Sequence, residues 1–529
     1  MKNWLPTVIL SLSFLLGIGE TYAQSKSRRR APSQTSILEK QVENVIRNYR
    51  TGRSGVAATW ASASNLEQRF HHMNKRSKLR LRQLQASLAA RAEYPILSAT
   101  YAADSILISG QFFHKANTHM WRLLAETSKV RPIQYILEDL ATKLIGEKNL
   151  PPEFGNDWHY IIGNAYWEGG KNDLAARHYE QLTMQDRYYM PAQFHLGIIR
   201  FIQGKNDEAE ARLKSVIDPS SREVTPLAGS NKVDMWNYTN MTLGRIYYEQ
   251  RDFLKAAQHY RKVTKSSSLF YDALFEQSWA LFLGGSPKHA LGSLYGVHSP
   301  YFKGLFNPET KVLESMIYFW MCRYDEARNA LADFAENHGE AVESLSKFLD
   351  RKRLGAETAY QLFENLISGV SSESLGLPRN VLLTAAERDS MLLVRDQFAT
   401  VVSELDRLES IGFFGVTSGL DPQKALLETI SSTLRKTIGD KFLRELRALK
   451  AHYDELYTQS QFLYLELLMS QKEHLLGREL HADTRVRAAA SKESIKDWSF
   501  RSQSWEDDKE EYWWDEIGFQ IIDVDPQCN

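Results

Sequence analysis

Small, aromatic and apolar residues recur at a constant spacing between residues 157 and 337. Gly163, Tyr166, Ala175 and Tyr179 stand at offsets 0, 3, 12 and 16 of the first copy. Later copies place residues at the same offsets: Gly197, Ala209 and Leu213; Gly244, Tyr247, Ala256 and Tyr260; Ser278, Leu281, Ala290 and Leu294; Ser315, Tyr318, Ala327 and Leu331. Because steps of three and four residues are helical, the pattern predicts five pairs of helices.

The small residues explain how two helices of one pair would pack. A small residue at offset 0 lets the first helix approach its partner, and Ala at offset 12 does the same from the second helix. Gly169-Gly170, Gly204 and Gly284-Gly285 fall between the two helices, where a glycine cap and a turn are expected. Asp218 to Ser230 carries two prolines and a glycine, and we predict a loop there between the second and third copies.

This spacing resembles the tetratricopeptide repeat, a 34-residue helical pair with a small residue, a large one, an Ala and an aromatic at these places. The resemblance covers about residues 157 to 337, although the proline that usually follows the second helix is absent or displaced. It implies an all-α fold with a right-handed helical solenoid. It also implies a protein that binds other proteins.

In that family the first helices line the concave face, at positions three before and one and four after the small residue. The resemblance therefore implies a largely aromatic protein-binding stripe, suited to a helix or an extended apolar segment. An equally supported reading is that some of these side chains pack against neighbouring repeats or lie under the chain's own hairpin or tail. Only Asn164 matches the carboxylate-binding residues of chaperone-binding members. The stripe consists of Tyr160, Asn164, Trp167, Phe194, Ile198, Phe201, Met241, Arg245, Tyr248, Phe275, Trp279 and Phe282.

Heptad spacing follows the repeats. Met391, Val394, Phe398, Val401, Leu405 and Leu408 form one apolar seam, and a second seam runs from Phe442 to Leu467, with a Gly- and Pro-containing breaker at 412–422 between them. We predict two helices, 380–411 and 423–485, paired as an antiparallel coiled-coil hairpin because the loop is short. Pairing between two chains is the alternative.

The two ends of the chain differ in charge. Residues 24 to 91 hold 15 Lys or Arg against three acidic residues, and residues 505 to 529 hold nine acidic residues against Lys509. We predict a signal peptide at 1–23, a basic segment with an N-terminal helical cap at 24–150 and the solenoid at 151–340. The helical region with the hairpin follows at 341–487, and an acidic aromatic tail at 488–529 docks on this protein or on a partner.

Lys2, the apolar run Val8 to Ile18 and Thr21-Tyr22-Ala23 are typical of a cleaved secretory signal, so we expect export to the periplasm or the outer membrane of a Gram-negative cell. The tail is also weakly similar to exported repeat proteins of gliding and predatory Gram-negative bacteria. The apolar run is well short of the roughly 20 residues that span a bilayer, and no other hydrophobic stretch approaches that length. Only Cys322 and Cys528 are present. An oxidising compartment permits a disulfide between them, but unpaired thiols are the commoner outcome.

The sequence indicates no enzyme, cofactor or metal site. Neither glycine–lysine pair, Gly170-Lys171 or Gly204-Lys205, has the spacing of a phosphate-binding loop, and the balanced net charge gives no reason to expect nucleic acid. We therefore expect a scaffold or adaptor that binds other envelope proteins. The alternative is an envelope-binding module in which Arg28-Arg29-Arg30 and the cluster from Lys75 to Arg82 contact anionic lipid or cell-wall polymer.

Overall fold

A computed structural model of the chain describes residues 33–112, 115–129, 133–144, 150–218, 229–302, 304–305, 307–350, 354–371, 376–417, 419–476, 517–518 and 520–528. The predicted signal peptide, the Arg28 to Arg30 cluster, almost all of the predicted 218–230 loop and most of the acidic tail lie outside these ranges. Within them, the extended regular elements are all helices. No described helix has the length and apolar character needed to cross a bilayer.

The chain forms two compact units, 1–188 with 389–438 and 189–388 with 439–529. In its described residues, the first unit contains eight α-helices from its N-terminal part and one from the later part of the chain. These are α1 (Gln34–Arg50), α2 (Val56–Glu67), α3 (Lys75–Arg91), α4 (Pro95–Ser109), α5 (Thr118–Ser128), α6 (Gln134–Lys143), α7 (Asp157–Glu168), α8 (Asn172–Tyr179) and, after the second unit's helices, α19 (Asp389–Ser410). It also holds the start of the last helix, Asp421–Leu475, which is α20.

The second unit holds the remaining helical pairs. Its helices are α9 (Tyr189–Ile202), α10 (Asn206–Ile217), α11 (Gly229–Glu249), α12 (Phe253–Tyr260), α13 (Phe270–Leu283), α14 (Pro287–Val297), α15 (Glu309–Trp320), α16 (Tyr324–Leu349), α17 (Ala356–Ile367) and α18 (Arg379–Ala386). The part of α20 from residue 439 onward and residues 517–528 also belong to it. Each of the five predicted repeats is thus a helical pair, with the first pair, α7 and α8, in the first unit.

The glycines at offset 0 are required by the residue at offset 16. A Cβ added to Gly163 or Gly244 would lie 2.5 Å from the ring of Tyr179 or Tyr260, and one added to Gly197 would lie 2.5 Å from Leu213. Such separations are shorter than any van der Waals contact between carbons. The predicted close approach of the two helices therefore occurs, and the large residue at offset 16 packs directly over the small one.

The turn inside each repeat uses a left-handed residue at the same place. Gly170, Gly204, Arg251, Gly285 and Cys322 all have positive φ and all stand seven residues after the small residue. Glycine adopts this conformation without the steric cost that a side chain brings. The third and fifth repeats accept that cost at Arg251 and Cys322.

The first unit contains two groups of side chains that pack together in its interior. Phe413, in the loop before α20, stacks on Trp60 with ring centroids 3.7 Å apart and on Tyr94 at 4.4 Å. Nearby, the buried Arg82 guanidinium forms ion pairs with Glu67 and Asp104. Gln423 of α20 donates to Glu67 at 2.8 Å. The predicted breaker at 412–422 is therefore not a simple exposed loop, because Phe413 seats it in the core.

The predicted hairpin helices differ in their bounds from the expectation. The first is divided into α18 and α19, and the second begins at Asp421 and is described as far as Leu475. Within the first unit, Lys424 forms an ion pair with Glu409, and Arg435 lies 5.9 Å from the ring of Phe398. From the first contact to the second, the residue number increases in α20 and decreases in α19, so the two helices run antiparallel. A coiled coil over the full predicted length stays a prediction.

Candidate protein-binding surface

The predicted stripe residues in the second unit lie on the first helices of repeats two to four. Met241 and Phe275 are 2% and 9% exposed and belong to the unit's hydrophobic core, so their side chains serve packing. Phe194, Phe201, Tyr248, Trp279 and Phe282 are partly buried and rest on that core. Ile198 is also half-buried, and Ile202 beside them is exposed.

Arg245 supplies the one charge of the predicted stripe, and it is paired. Its Nε lies 3.0 Å from both carboxylate oxygens of Glu276, and its Nη2 lies 2.6 Å from one of them. A fork of this kind is the strong geometry for an Arg–carboxylate pair, and it positions both side chains. Burial raises the pKa of the neighbouring Tyr248 to about 12, so its hydroxyl stays neutral.

The first repeat's predicted residues contact each other and their own unit. The ring of Tyr160 stacks on Tyr188 with centroids 4.6 Å apart. Asn164 accepts a hydrogen bond from the Tyr179 hydroxyl at 2.8 Å and donates to Glu138 at 3.5 Å. Trp167 is half-buried. The amide of Asn164 is thus engaged within the chain.

The long helix α20 lies against the later repeats of the second unit. His452 contacts Glu309 at 3.1 Å, and Glu309 also accepts from the Trp279 indole at 3.0 Å. The rings of Tyr324 and His474 are 5.6 Å apart, and a Cβ added to Gly439 would lie 1.9 Å from the Ala356 carbonyl oxygen. Among the described residues, the chain's own helix α20 therefore contacts the fourth and fifth repeats.

The end of the tail docks on the second unit. Ile517 is fully buried, Ile522 donates its backbone N–H to the Lys288 carbonyl, and Gln527 donates to that of Met321 at 2.8 Å. A disulfide joins Cys322 and Cys528, whose Cα atoms are 5.1 Å apart. The less common of the two outcomes left open by the sequence is therefore the one found. For residues 517–518 and 520–528, the tail's docking surface is this protein itself.

Two glycines that the sequence analysis missed form the seat of this tail. A Cβ at Gly292 would lie 1.9 Å from the Gln520 carbonyl oxygen, and one at Gly296 would lie 3.2 Å from Ile517. Both stand on α14 four residues apart, a spacing that places them on one helical face. Neither belongs to the repeat pattern. These two additional glycines on one helical face were the feature of the sequence that could have indicated where the tail docks.

The basic cluster is only partly free to bind a ligand. Arg80 forms an ion pair with Glu43, and Arg82 is buried. Lys78 lies over the ring of Phe70, 5.4 Å from its centroid. Lys75 and Arg76 are exposed. An anionic surface would therefore meet two of these five cations directly.

A family model of the tetratricopeptide repeat matches residues 161–222 and 241–296. These two stretches hold the helical pairs whose Gly163, Gly197 and Gly244 contacts were described above. The chain contains tetratricopeptide repeats. Tetratricopeptide repeats are typically scaffolds for protein–protein interaction rather than active sites.

No curated protein matches the chain. Among solved structures, the chain is similar to the apo form of the quorum sensor NprR from B. thuringiensis, at 12% identity over 76% of this chain and 88% of that one, with a TM-score of 0.26. Across the described residues, no group of three metal-binding side chains lies together.

Proposed function

We propose that this protein is an exported adaptor of a cell-envelope assembly, and that it binds partner proteins through the second and third tetratricopeptide repeats. The observation that carries the proposal is the pair of half-buried aromatic side chains Phe201 and Tyr248, which rest on the core of the second unit and leave part of each ring accessible. Aromatic anchors of this kind are enriched among residues that dominate binding energy.

The surroundings of these two rings favour a protein ligand with apolar side chains. Ile202 is 60% exposed next to Phe201, and the only neighbouring charge in the predicted stripe, Arg245, is paired with Glu276. A ligand could therefore bury apolar side chains there without leaving the charge of Arg245 buried and unpaired. Export is supported by the predicted signal segment and by the Cys322–Cys528 disulfide, since such bonds persist in oxidising compartments.

The test is a cross-linked pull-down of the mature protein from its native envelope. Replacing both anchors, Phe201→Ala with Tyr248→Ala, should reduce recovery of the bound proteins about tenfold or more, since each anchor contributes roughly 1–2 kcal/mol. Tyr301→Ala is the matched control, because that aromatic side chain is 55% exposed and lies outside the stripe. Recovery of every partner by the double variant would exclude the repeat surface as the binding site.

The second candidate function, binding of anionic lipid or cell-wall polymer, draws its support from the exposed Lys75 and Arg76. High salt separates the two proposals. Binding through surface cations should be lost between low and high ionic strength, whereas binding through aromatic anchors should persist. Release of all bound material by salt, with Lys75→Gln and Arg76→Gln giving the same loss, would favour the second candidate.

A further inference from the structure

The last part of α20 carries apolar side chains on two faces. One face, with Tyr453, Leu456, Leu463 and Leu467, is buried within the second unit. A different face is exposed, and we call it the outer stripe. It consists of Tyr457, Phe462, Tyr464, Leu465, Leu468 and Met469, together with Leu476 directly after the end of the helix.

The outer stripe is larger than ordinary surface hydrophobicity explains. Phe462 and Met469 are 63% and 62% exposed, and Leu465 is 56% exposed. The seven side chains together present an apolar surface on the order of 700 Å², against the few hundred that soluble monomers usually show. That area is close to the roughly 800 Å² that each partner contributes to a stable protein–protein interface.

The spacing of the apolar residues within the stripe favours a helix as the ligand. Phe462, Leu465, Met469 and Leu476 follow one another at steps of three, four and seven residues, which is a heptad seam in which the exposed Lys472 occupies the position between Met469 and Leu476. Such a seam keeps one line of side chains facing a second helix along several turns. The described part of α20 from residue 457 to 475 is about 28 Å long, enough for a partner helix of five turns.

Charge along the stripe selects the chemistry of that helix. Glu455, Glu466 and Glu473 lie within about 20° of each other around the helix axis, along one edge of the stripe. Within the part of the chain that the structure describes, none of the three forms an ion pair. The opposite edge, with Tyr457 and Tyr464, is uncharged.

We propose that the outer stripe binds an amphipathic helix of another protein, with apolar residues at heptad spacing and Lys or Arg along the edge that meets the three glutamates. A second copy of this chain fits less well. In an antiparallel pair, equivalent edges of the two helices meet, so glutamates would face glutamates. In a parallel pair, the acidic edge would meet the uncharged tyrosine edge and gain nothing.

The binding test uses the full mature protein and synthetic helical peptides labelled for fluorescence anisotropy. The probe has Leu at the a and d positions of three heptads and Lys along one edge, and its control carries Glu at the Lys positions. The Lys peptide should bind and the Glu peptide should not. Leu465→Asp should weaken binding about 30-fold, as expected for a central interface residue.

Ile367→Asp is the matched control, because Ile367 is 55% exposed on another helix of the same unit and should leave binding unchanged. Changing Glu455, Glu466 and Glu473 to Gln should weaken the Lys peptide about threefold to tenfold and remove much of the salt dependence.

Equal binding of the two peptides, or no effect of Leu465→Asp, would overturn the proposal. So would a concentration-dependent dimer that Leu465→Asp converts to a monomer, because that result assigns the stripe to a second copy. The repeat-surface variant Phe201→Ala with Tyr248→Ala should not change peptide binding, so failure of either proposal can be told from failure of the other.

Discussion

The substitution Gly244→Ala tests whether the fold depends on the close approach of the two helices in a repeat. In an open helical position, Gly→Ala stabilises a helix by about 1 kcal/mol because the backbone loses less entropy on folding. At Gly244 the new Cβ would lie 2.5, 2.7 and 2.9 Å from three ring atoms of Tyr260. A normal contact therefore requires the ring to move by about 1 Å.

The ring is not free to make that movement. Tyr260 is 2% exposed, and its hydroxyl bonds to Glu276, which also holds Arg245. Overpacking in a core costs about 1–3 kcal/mol, and loss of the hydroxyl contact adds roughly 1 kcal/mol. After the helical gain is subtracted, we expect Gly244→Ala to lower the free energy of unfolding by about 1–3 kcal/mol.

Thermal and urea unfolding, compared with Gly339→Ala, measure this effect. Gly339 lies inside α16 with nothing within 4 Å of an added Cβ, so its replacement should stabilise the protein by up to about 1 kcal/mol. The fourth and fifth repeats already combine Ser with Leu at the two positions, so Gly244→Ser with Tyr260→Leu should recover part of the loss. If Gly244→Ala stabilised the protein as Gly339→Ala does, the packing argument would be refuted.

Three further outcomes follow from the described contacts. Cys528→Ser should speed proteolysis of the docked tail by about tenfold or more while far-ultraviolet circular dichroism stays unchanged, because without the cross-link the tail can leave the surface whenever its non-covalent contacts open; equal proteolysis of both forms would contradict this. Arg82→Met should lower the urea-unfolding free energy by about 3 kcal/mol, because it leaves the mostly buried Glu67 and the partly exposed Asp104 without their cation, and a loss below about 1 kcal/mol would show the pair to be dispensable. Burial lowers the pKa of His195 to about 4, below its unfolded value near 6.5, so the unfolded chain binds the extra proton and stability should fall as pH decreases from 6.5 towards 4; His195→Phe should flatten that slope in unfolding measured at each pH.

The candidate site was only partly predictable. The family spacing located Phe201 and Tyr248, which are partly accessible, but it placed Met241 and Phe275 in the same stripe although they are buried. All four are large apolar residues on first helices of repeats. Whether such a residue faces a ligand or the next repeat depends on how the neighbouring helices approach, and spacing within one helix does not contain that information.

The sequence by itself determined the helical pairs, their turns and the need for small residues at Gly163, Gly197 and Gly244. These are local features, since each involves residues within about one repeat of each other. The sequence repeats the same pattern in each copy, so the features can be recognised from it. The resemblance that carried the identification rests on the same local pattern. The family match to residues 161–222 and 241–296 agrees with it.

Only the tertiary structure decided the contacts between distant parts of the chain. It placed Phe413 beside Trp60, joined Cys322 to Cys528 and seated the tail on Gly292. It also showed that α20 buries one apolar face and leaves another exposed, where the sequence showed only heptads. The physical reason is that burial and pairing between residues hundreds of positions apart depend on the path of the whole chain, and no local periodicity records that path.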